Sequence, residues 1–376
     1  MRYRLFLFTA AILALLTIDV GAATTTATHA GGDVLHYLTL GLVVFGAALG
    51  TGNLTLADWA KRLDPTGKVD KIVELLNQKN EILDDMVWKE GNLPTGHRLT
   101  VRTGLPAVAW RLLNQGVIPS KSTTAQIDEQ TGMLEAWTEV DKDLALLNGN
   151  VAAFRLSEAG AFIEAMSQEF GRVLFYGNGG VNAEQFTGLS VRYSSATGAI
   201  VDNVIKAGGV GSDNASIWLV AWGDETVTGI FPKGSKAGLI HEDYGEVTVE
   251  MVAGLPGARM RAFQDRFQWK GGIALKDWRY VVRICNIDVS DLNAANVKTL
   301  INLMEQAVET IPDSLGKPVF YMNRTMRRFL RREARESVGS GGGLTYDNYD
   351  GKRILMFGDV PIKRADQLLN SEALVP

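Results

Sequence analysis

The sequence predicts an α+β fold, and three observations carry that prediction. A long amphipathic helical stretch precedes a β-rich region, a helix–strand–helix unit follows it, and short strands close the chain. No internal repeat interrupts this order.

Thr55 can cap a short helix, Leu56–Leu63, which the Asp64–Pro65 step ends. From Lys68 to Trp88 the spacing predicts one helix, with Val69, Ile72, Val73, Leu76, Leu83, Met86 and Val87 on a single face. Gly91–Gly132 is then an extended segment punctuated by glycine and proline. Stretches this long are uncommon inside a compact domain and usually functional. Arg98–Leu113 and Met133–Leu147 are predicted to pair as a two-stranded flap, because Gly104 and Pro106 favour edges and turns over a buried sheet. Trp110, Leu112 and Leu113 have too little local surface to bury against, so they are expected to pack on an adjacent subunit.

Ser157–Tyr176 is the next predicted helix, with Phe162, Ile163, Met166, Phe170, Val173 and Leu174 as its core stripe and a left-handed stop at Gly177–Asn178. Strands are predicted within Ser216–Trp222, Thr226–Phe231, Glu246–Gly254 and Ala258–Asp288. Helices at Asp291–Ile311 and Asn323–Glu336 flank a buried strand, Pro318–Asn323. Beyond the glycine loop Gly339–Gly343, Arg353–Phe357 and Val360–Arg364 read as closing strands.

Composition bounds the function. With 46% apolar and 21% charged residues the chain of 376 can bury a substantial core. A net charge of −4 argues against non-specific nucleic-acid binding as the main task. The single cysteine, Cys285, lies in a strand-like run and reads as buried and structural; it excludes an internal disulfide. Of four histidines, only His97 and His241 lie in the body, without metal-ligand spacing.

The first residues differ from the rest. Arg2 and Arg4 precede an apolar run, Leu5–Leu16, and Val20–Gly21–Ala22 resembles a cleavage site. A second apolar run, Val34–Gly50, is short for a bilayer span of about 20 residues. At face value this leader describes an exported or membrane-anchored binding protein, which is the alternative reading of the chain.

The chemistry of an enzyme is missing. There is no phosphate-cradling motif, since Gly208–Asp213 lacks the required lysine, and no Gly-x-Ser-x-Gly. A secreted hydrolase would need a nucleophile, a base and an orienting group, and two histidines leave few choices. Asp84–Asp85 and Glu242–Asp243 are adjacent in sequence, so each pair faces apart and reads as solvated charge. No catalytic residue, cofactor or metal is expected. Arg324, Arg327, Arg328, Arg331, Arg332 and Arg335 paint a basic face on the last helix, with Met326, Phe329 and Leu330 opposite. Such a face could meet phosphates. In an acidic chain, pairing with the helix's own acids or a neighbouring subunit's is favoured, making Arg324, Arg328 and Arg331 expected contacts between subunits.

Four segments carry a family resemblance: Asn53–Trp88, Gly91–Gln126, Leu147–Asn178 and Trp218–Gly245. Together with their order over Asn53–Pro376, they resemble the major capsid proteins of tailed bacteriophages, which have the Hong Kong ninety-seven fold. The resemblance implies a non-enzymatic subunit that self-assembles into hexamers and pentamers of an icosahedral virion shell around double-stranded DNA. It implies an N-terminal arm at 53–90, an extended loop region at 91–150 and a peripheral domain with a spine helix at 151–197. An axial domain at 198–343 would share that span with peripheral strands near 258–290, and return strands would occupy 344–376. Residues 1–52 have no place in such a subunit and are expected to be extraneous. Scaffolding and portal proteins, packaged DNA without sequence-specific contact and a decoration protein are the implied partners. Some relatives cross-link lysine to asparagine; Lys121 could serve, but nothing specifies a partner and no cross-link is expected.

Overall fold

The computed structural model describes residues 80–147, 150–251, 258–292, 294–312, 315–336, 344–349 and 352–376, all within one compact unit. The leader, the predicted helix at Leu56–Leu63 and most of the next lie outside them. The helices are α1 (Ile82–Asp85), α2 (Lys142–Leu146), α3 (Val151–Tyr176), α4 (Leu189–Arg192), α5 (Ala294–Thr310) and α6 (Arg324–Glu336). The strands are β1 (Trp88–Glu90), β2 (Gly96–Gly104), β3 (Thr123–Gln130), β4 (Gly132–Asp141), β5 (Val204–Lys206), β6 (Asn214–Trp222) and β7 (Val227–Phe231). They continue with β8 (Leu239–Met251), β9 (Ala258–Leu275), β10 (Val281–Asp288), β11 (Lys317–Met322), β12 (Leu344–Tyr349), β13 (Lys352–Phe357) and β14 (Val360–Arg364).

Every residue of β6 is buried, which explains why Ile217–Trp222 reads as an unbroken apolar run: both faces of this strand are covered. It lies between β10 and β11, antiparallel to both. β5 pairs beyond β10, and β14, β13 and β12 continue outward from β11. On one face Trp218, Val220 and Trp222 join Val173, Leu174 and Phe175 of α3. On the other, Ala215, Ile217 and Leu219 join Leu300 and Met304 of α5 and Met326 and Leu330 of α6. Alternation along one strand thus divides the core into two apolar layers.

β9 organises a second part of the same sheet. β4 and β8 run antiparallel to it, and its last residues pair with β7, which β1 joins in parallel. α3 has 26 residues, about 39 Å at 1.5 Å each. Asn150 caps it, its side chain accepting from Ala153 N at 3.1 Å, so the helix starts earlier than Ser157. It ends as expected at Gly177, for a different reason. Gly177 has φ −57°, outside the left-handed region; a Cβ there would sit 2.6 Å from the carbonyl oxygens of Val173 and Phe186. Close approach of two backbones selects the glycine. Met166, Phe170, Val173 and Leu174 are buried as predicted, while Ile163 is 42% exposed.

Three further expectations are corrected. The helix predicted to reach Trp88 stops at Asp85; Met86 is extended and Trp88 opens β1. The apolar residues that fit a helical face also serve a strand packed against β7. The flap is two-stranded, but β2 pairs with β3, while Met133–Asp141 belongs to β4 on β9. The true return strand, Thr123–Gln130, is mostly polar and exposed, so an apolar pattern does not mark it. The adjacent carboxylates face apart, yet they are not simply solvated. Asp85 accepts from Tyr321 Oη at 2.6 Å and pairs with Lys363, Glu242 pairs with Arg266 at 3.1 Å, and Asp243 with Arg155 at 2.5 Å.

The C-terminal segment is drawn into this frame. Glu372 forms a buried ion pair with Arg283 at 2.8 Å and accepts from Tyr176 Oη and Ser216 Oγ. Asn286 clamps Val375 with its side-chain amide, the nitrogen donating to Val375 O and the oxygen accepting from Val375 N, each at 2.9 Å. Cys285 is buried, as expected, and burial pushes its thiol pKa up.

Candidate assembly surface

β2 and β3 form a ribbon whose base and tip are built differently. The ladder runs from Gly96↔Gln130 to Gly104↔Thr123, with an irregularity after Arg102. At its base Leu99 is buried with Ile230 and Ala274. Glu129 is buried too, and Arg192 of α4 donates to both its oxygens at 2.6 Å. Such a two-point bond fixes direction as well as position. Asn92 brackets the backbone of Arg98 with bonds of 2.6 and 2.8 Å. A Cβ on Gly96 would lie 2.1 Å from Glu129 O, so the two strands leave room there for hydrogen alone.

Beyond this base the ribbon leaves the body. Leu105–Ser122 joins the strands, held by local bonds such as Ser120 Oγ to Ala107 O at 2.7 Å and Gln115 N to Leu112 O at 3.2 Å. Its apolar side chains face water. Trp110 is 104% exposed, Leu112 70% and Leu113 89%, with Leu105, Val108 and Ile118 above 80%. Scattered exposed apolar residues are ordinary, but a contiguous set marks an interaction site. Burying six such side chains is worth on the order of 10 kcal/mol before ordering costs.

The predicted arginines form a second surface. Asn323 caps α6, its Oδ1 accepting from Met326 N at 2.9 Å, and Met326, Phe329 and Leu330 are buried beneath the helix. Arg324, Arg328 and Arg331 are all exposed. Arg324 reaches Asp366 at 3.3 Å; Arg328 and Arg331 have no ionic partner among the described residues. The loop and α6 are separate features of the chain, which sequence reasoning named together only as contacts.

Both body histidines have ordinary surroundings. His97 Nδ1 accepts from Asn92 N at 3.2 Å; burial, with Lys276 and Lys89 nearby, holds its pKa below the usual value. His241 stacks on Phe267 and lies 3.0 Å from Asp265 Oδ1. Among the described residues, no group of His, Cys, Asp and Glu is arranged to hold a metal ion, and no helix is long and apolar enough to cross a membrane. Sequence reasoning missed Arg155, which joins Asp243 and Asp265 across β8 and β9 at 2.5 and 2.8 Å. It also missed Glu129–Arg192. Neither pair has a local sequence signal, because the partners are remote along the chain.

Residues 64–376 match the family described as major capsid protein GP7. The chain is similar to one in a cryo-EM structure of bacteriophage epsilon15, with 32% identity and a TM-score of 0.68, over 87% of this chain and 98% of that one. A fainter likeness, 13% identity and a TM-score of 0.41, links it to a chain of the bacteriophage JBD30 procapsid, over 90% of this chain and 100% of that one. No curated protein matches it. With the α+β architecture and the projecting loop in place, the chain belongs to the major capsid protein GP7 family: it has the Hong Kong ninety-seven fold and is a structural, non-enzymatic subunit of the phage virion shell.

Proposed function

We propose that copies of this chain form hexameric and pentameric rings that close an icosahedral shell around double-stranded DNA, each laying its Leu105–Ser122 tip across an adjacent subunit. The observation that carries this reading is the tip itself, where Trp110, Leu112 and Leu113 are 104%, 70% and 89% exposed in the single chain. An exposed apolar surface of that kind supports the reading because it marks a site where another protein packs. The same reading assigns 53–90 to an arm, 91–150 to the loop region and 151–197 to a peripheral domain built on α3. Residues 198–343 form the axial domain with peripheral strands near 258–290, and 344–376 return to the sheet. Scaffolding and portal proteins and a decoration protein are partners that such a shell calls on.

The test is sedimentation and negative-stain imaging of the purified full-length chain. Rings or closed shells are the expected outcome. A folded chain that stays monomeric across all salt, pH and crowding conditions would overturn the proposal.

A further inference from the structure

Five arginines of α6 do not spread around the helix. Arg324, Arg327, Arg328, Arg331 and Arg332 converge, together with Arg364 from β14, on one solvent-open cleft of about 490 Å³. Two elements remote in sequence thus deliver guanidinium groups to the same space. Asp366 is already engaged, since it pairs with both Arg324 and Arg364. Arg328 and Arg331 are exposed and carry no ion pair among the described residues. Arg332 lies over the Phe329 ring, 5.3 Å from its centroid.

We propose that this cleft binds the phosphate backbone of nucleic acid without reading its sequence. Arg328 and Arg331, which have no ion pair among the described residues, lie in the same cleft as four further guanidinium groups, so an anion of several charges entering it would be attracted. Arginine is also the cation suited to phosphate, offering a planar two-point bond at any working pH. The groups recur with each helical turn, about every 5.4 Å, against a DNA strand that carries one charge per about 3.4 Å of axis. The two turns from Arg324 to Arg332, about 12 Å, therefore face three or four successive phosphates. A protein partner fits less well. The exposed acids of α5, Glu305 and Glu309, would bring two charges to a cleft lined by six arginines. The net charge of −4 for the whole chain does not oppose the assignment, because the field that a phosphate meets is local.

The proposal rests on the reading that the shell encloses DNA, and adds to it the place where the subunit touches that DNA. The test uses unassembled full-length chain and a short labelled duplex of arbitrary sequence, with binding followed by anisotropy across a salt series. Arg328→Gln with Arg331→Gln is compared with Lys233→Gln plus Lys236→Gln, which removes equal charge from an exposed loop. The arginine pair should weaken binding about tenfold at low salt and lower the slope of log K against log salt by about 2, near 0.9 for each phosphate no longer neutralised. The lysine pair should leave both nearly unchanged. Equal effects from the two pairs, or a parent chain that does not bind the duplex, would overturn the proposal. So would an arginine variant that binds DNA normally and fails to assemble, which would make the cleft a contact between subunits. Unfolding midpoints matching the parent exclude misfolding, and parent particles imaged separately test the shell reading on its own.

Discussion

Trp218 and Trp110 stand at opposite extremes of exposure, 0% and 104%. Trp218 lies on the central strand, with Phe175 at 6.2 Å and Tyr193 edge-on at 6.0 Å, and Arg283 stacks on it at 5.1 Å. Trp110 crowns a ribbon tied to the body only at its base. On the proposed reading the same side chain serves two equilibria: in the sheet it stabilises the subunit, and at the tip it would stabilise the assembly. Sequence composition does not separate them, because both lie in apolar-rich segments. What separates them is whether the surrounding chain brings a second apolar layer.

The largest expected effect tests the folded side of this comparison. Trp218→Ala should cost the subunit about 3–5 kcal/mol in unfolding free energy, measured by chemical denaturation, and assembly should fall only in step with folding. Next comes the hinge between the regions. Glu129→Ala removes the buried partner of Arg192, at a cost of about 3 kcal/mol. Hydrogen exchange should show protection falling first at β2 and β3; a uniform fall would show that the ribbon base is part of the global core.

Trp110→Ala addresses the tip. Anchors of this type carry about 2 kcal/mol or more per side chain, roughly thirtyfold in an association constant. Monomer stability should stay within about 0.5 kcal/mol. Equal damage to particle yield and to monomer unfolding would place Trp110 in the subunit's own core and end the comparison.

The smallest effect concerns acid at the ribbon base. Burial, with Lys276 and Lys89, holds the His97 pKa below its ordinary value. The unfolded chain then takes up this proton more readily than the folded one. The contribution to stability is complete above about pH 6.5 and is lost as pH falls through the folded pKa. Denaturation midpoints between neutral and mildly acidic pH should fall less in His97→Gln than in the parent. Parallel curves would show that this ring does not sense the titration.

Much of the architecture is legible where one segment carries its own periodicity. The stripe of α3, the apolar run Ile217–Trp222 of β6 and the cap of α6 at Asn323 can all be read locally, because each depends on neighbours within a few residues. Partner choice cannot be read in this way. The apolar alternation of Met133–Leu147 fits pairing with β2 as well as with β9, and the actual partner of β2, Thr123–Gln130, is too polar and exposed for that pattern to mark it. The Lys68–Trp88 stripe hides the change at Met86, since Trp88 serves β1 as readily as a helix. The exposed tip follows from a simple shortage of local partners. The convergence of Arg364 with α6 has no sequence signal, as it arises from sheet order.

The buried pair between Arg283 and Glu372 joins residues 89 apart. At about 5–20 residues per second, a ribosome takes on the order of ten seconds to supply Glu372 after Arg283 is made. Throughout that interval the central sheet cannot close without enclosing an uncompensated cation, a state costing several kcal/mol. In order of synthesis, the carboxylate that neutralises Arg283 is therefore among the last groups made. A chain truncated before Glu372 is expected to unfold more easily than the complete one, because the buried guanidinium keeps its hydrogen bonds to Ser216 and Tyr193 but loses its counter-charge.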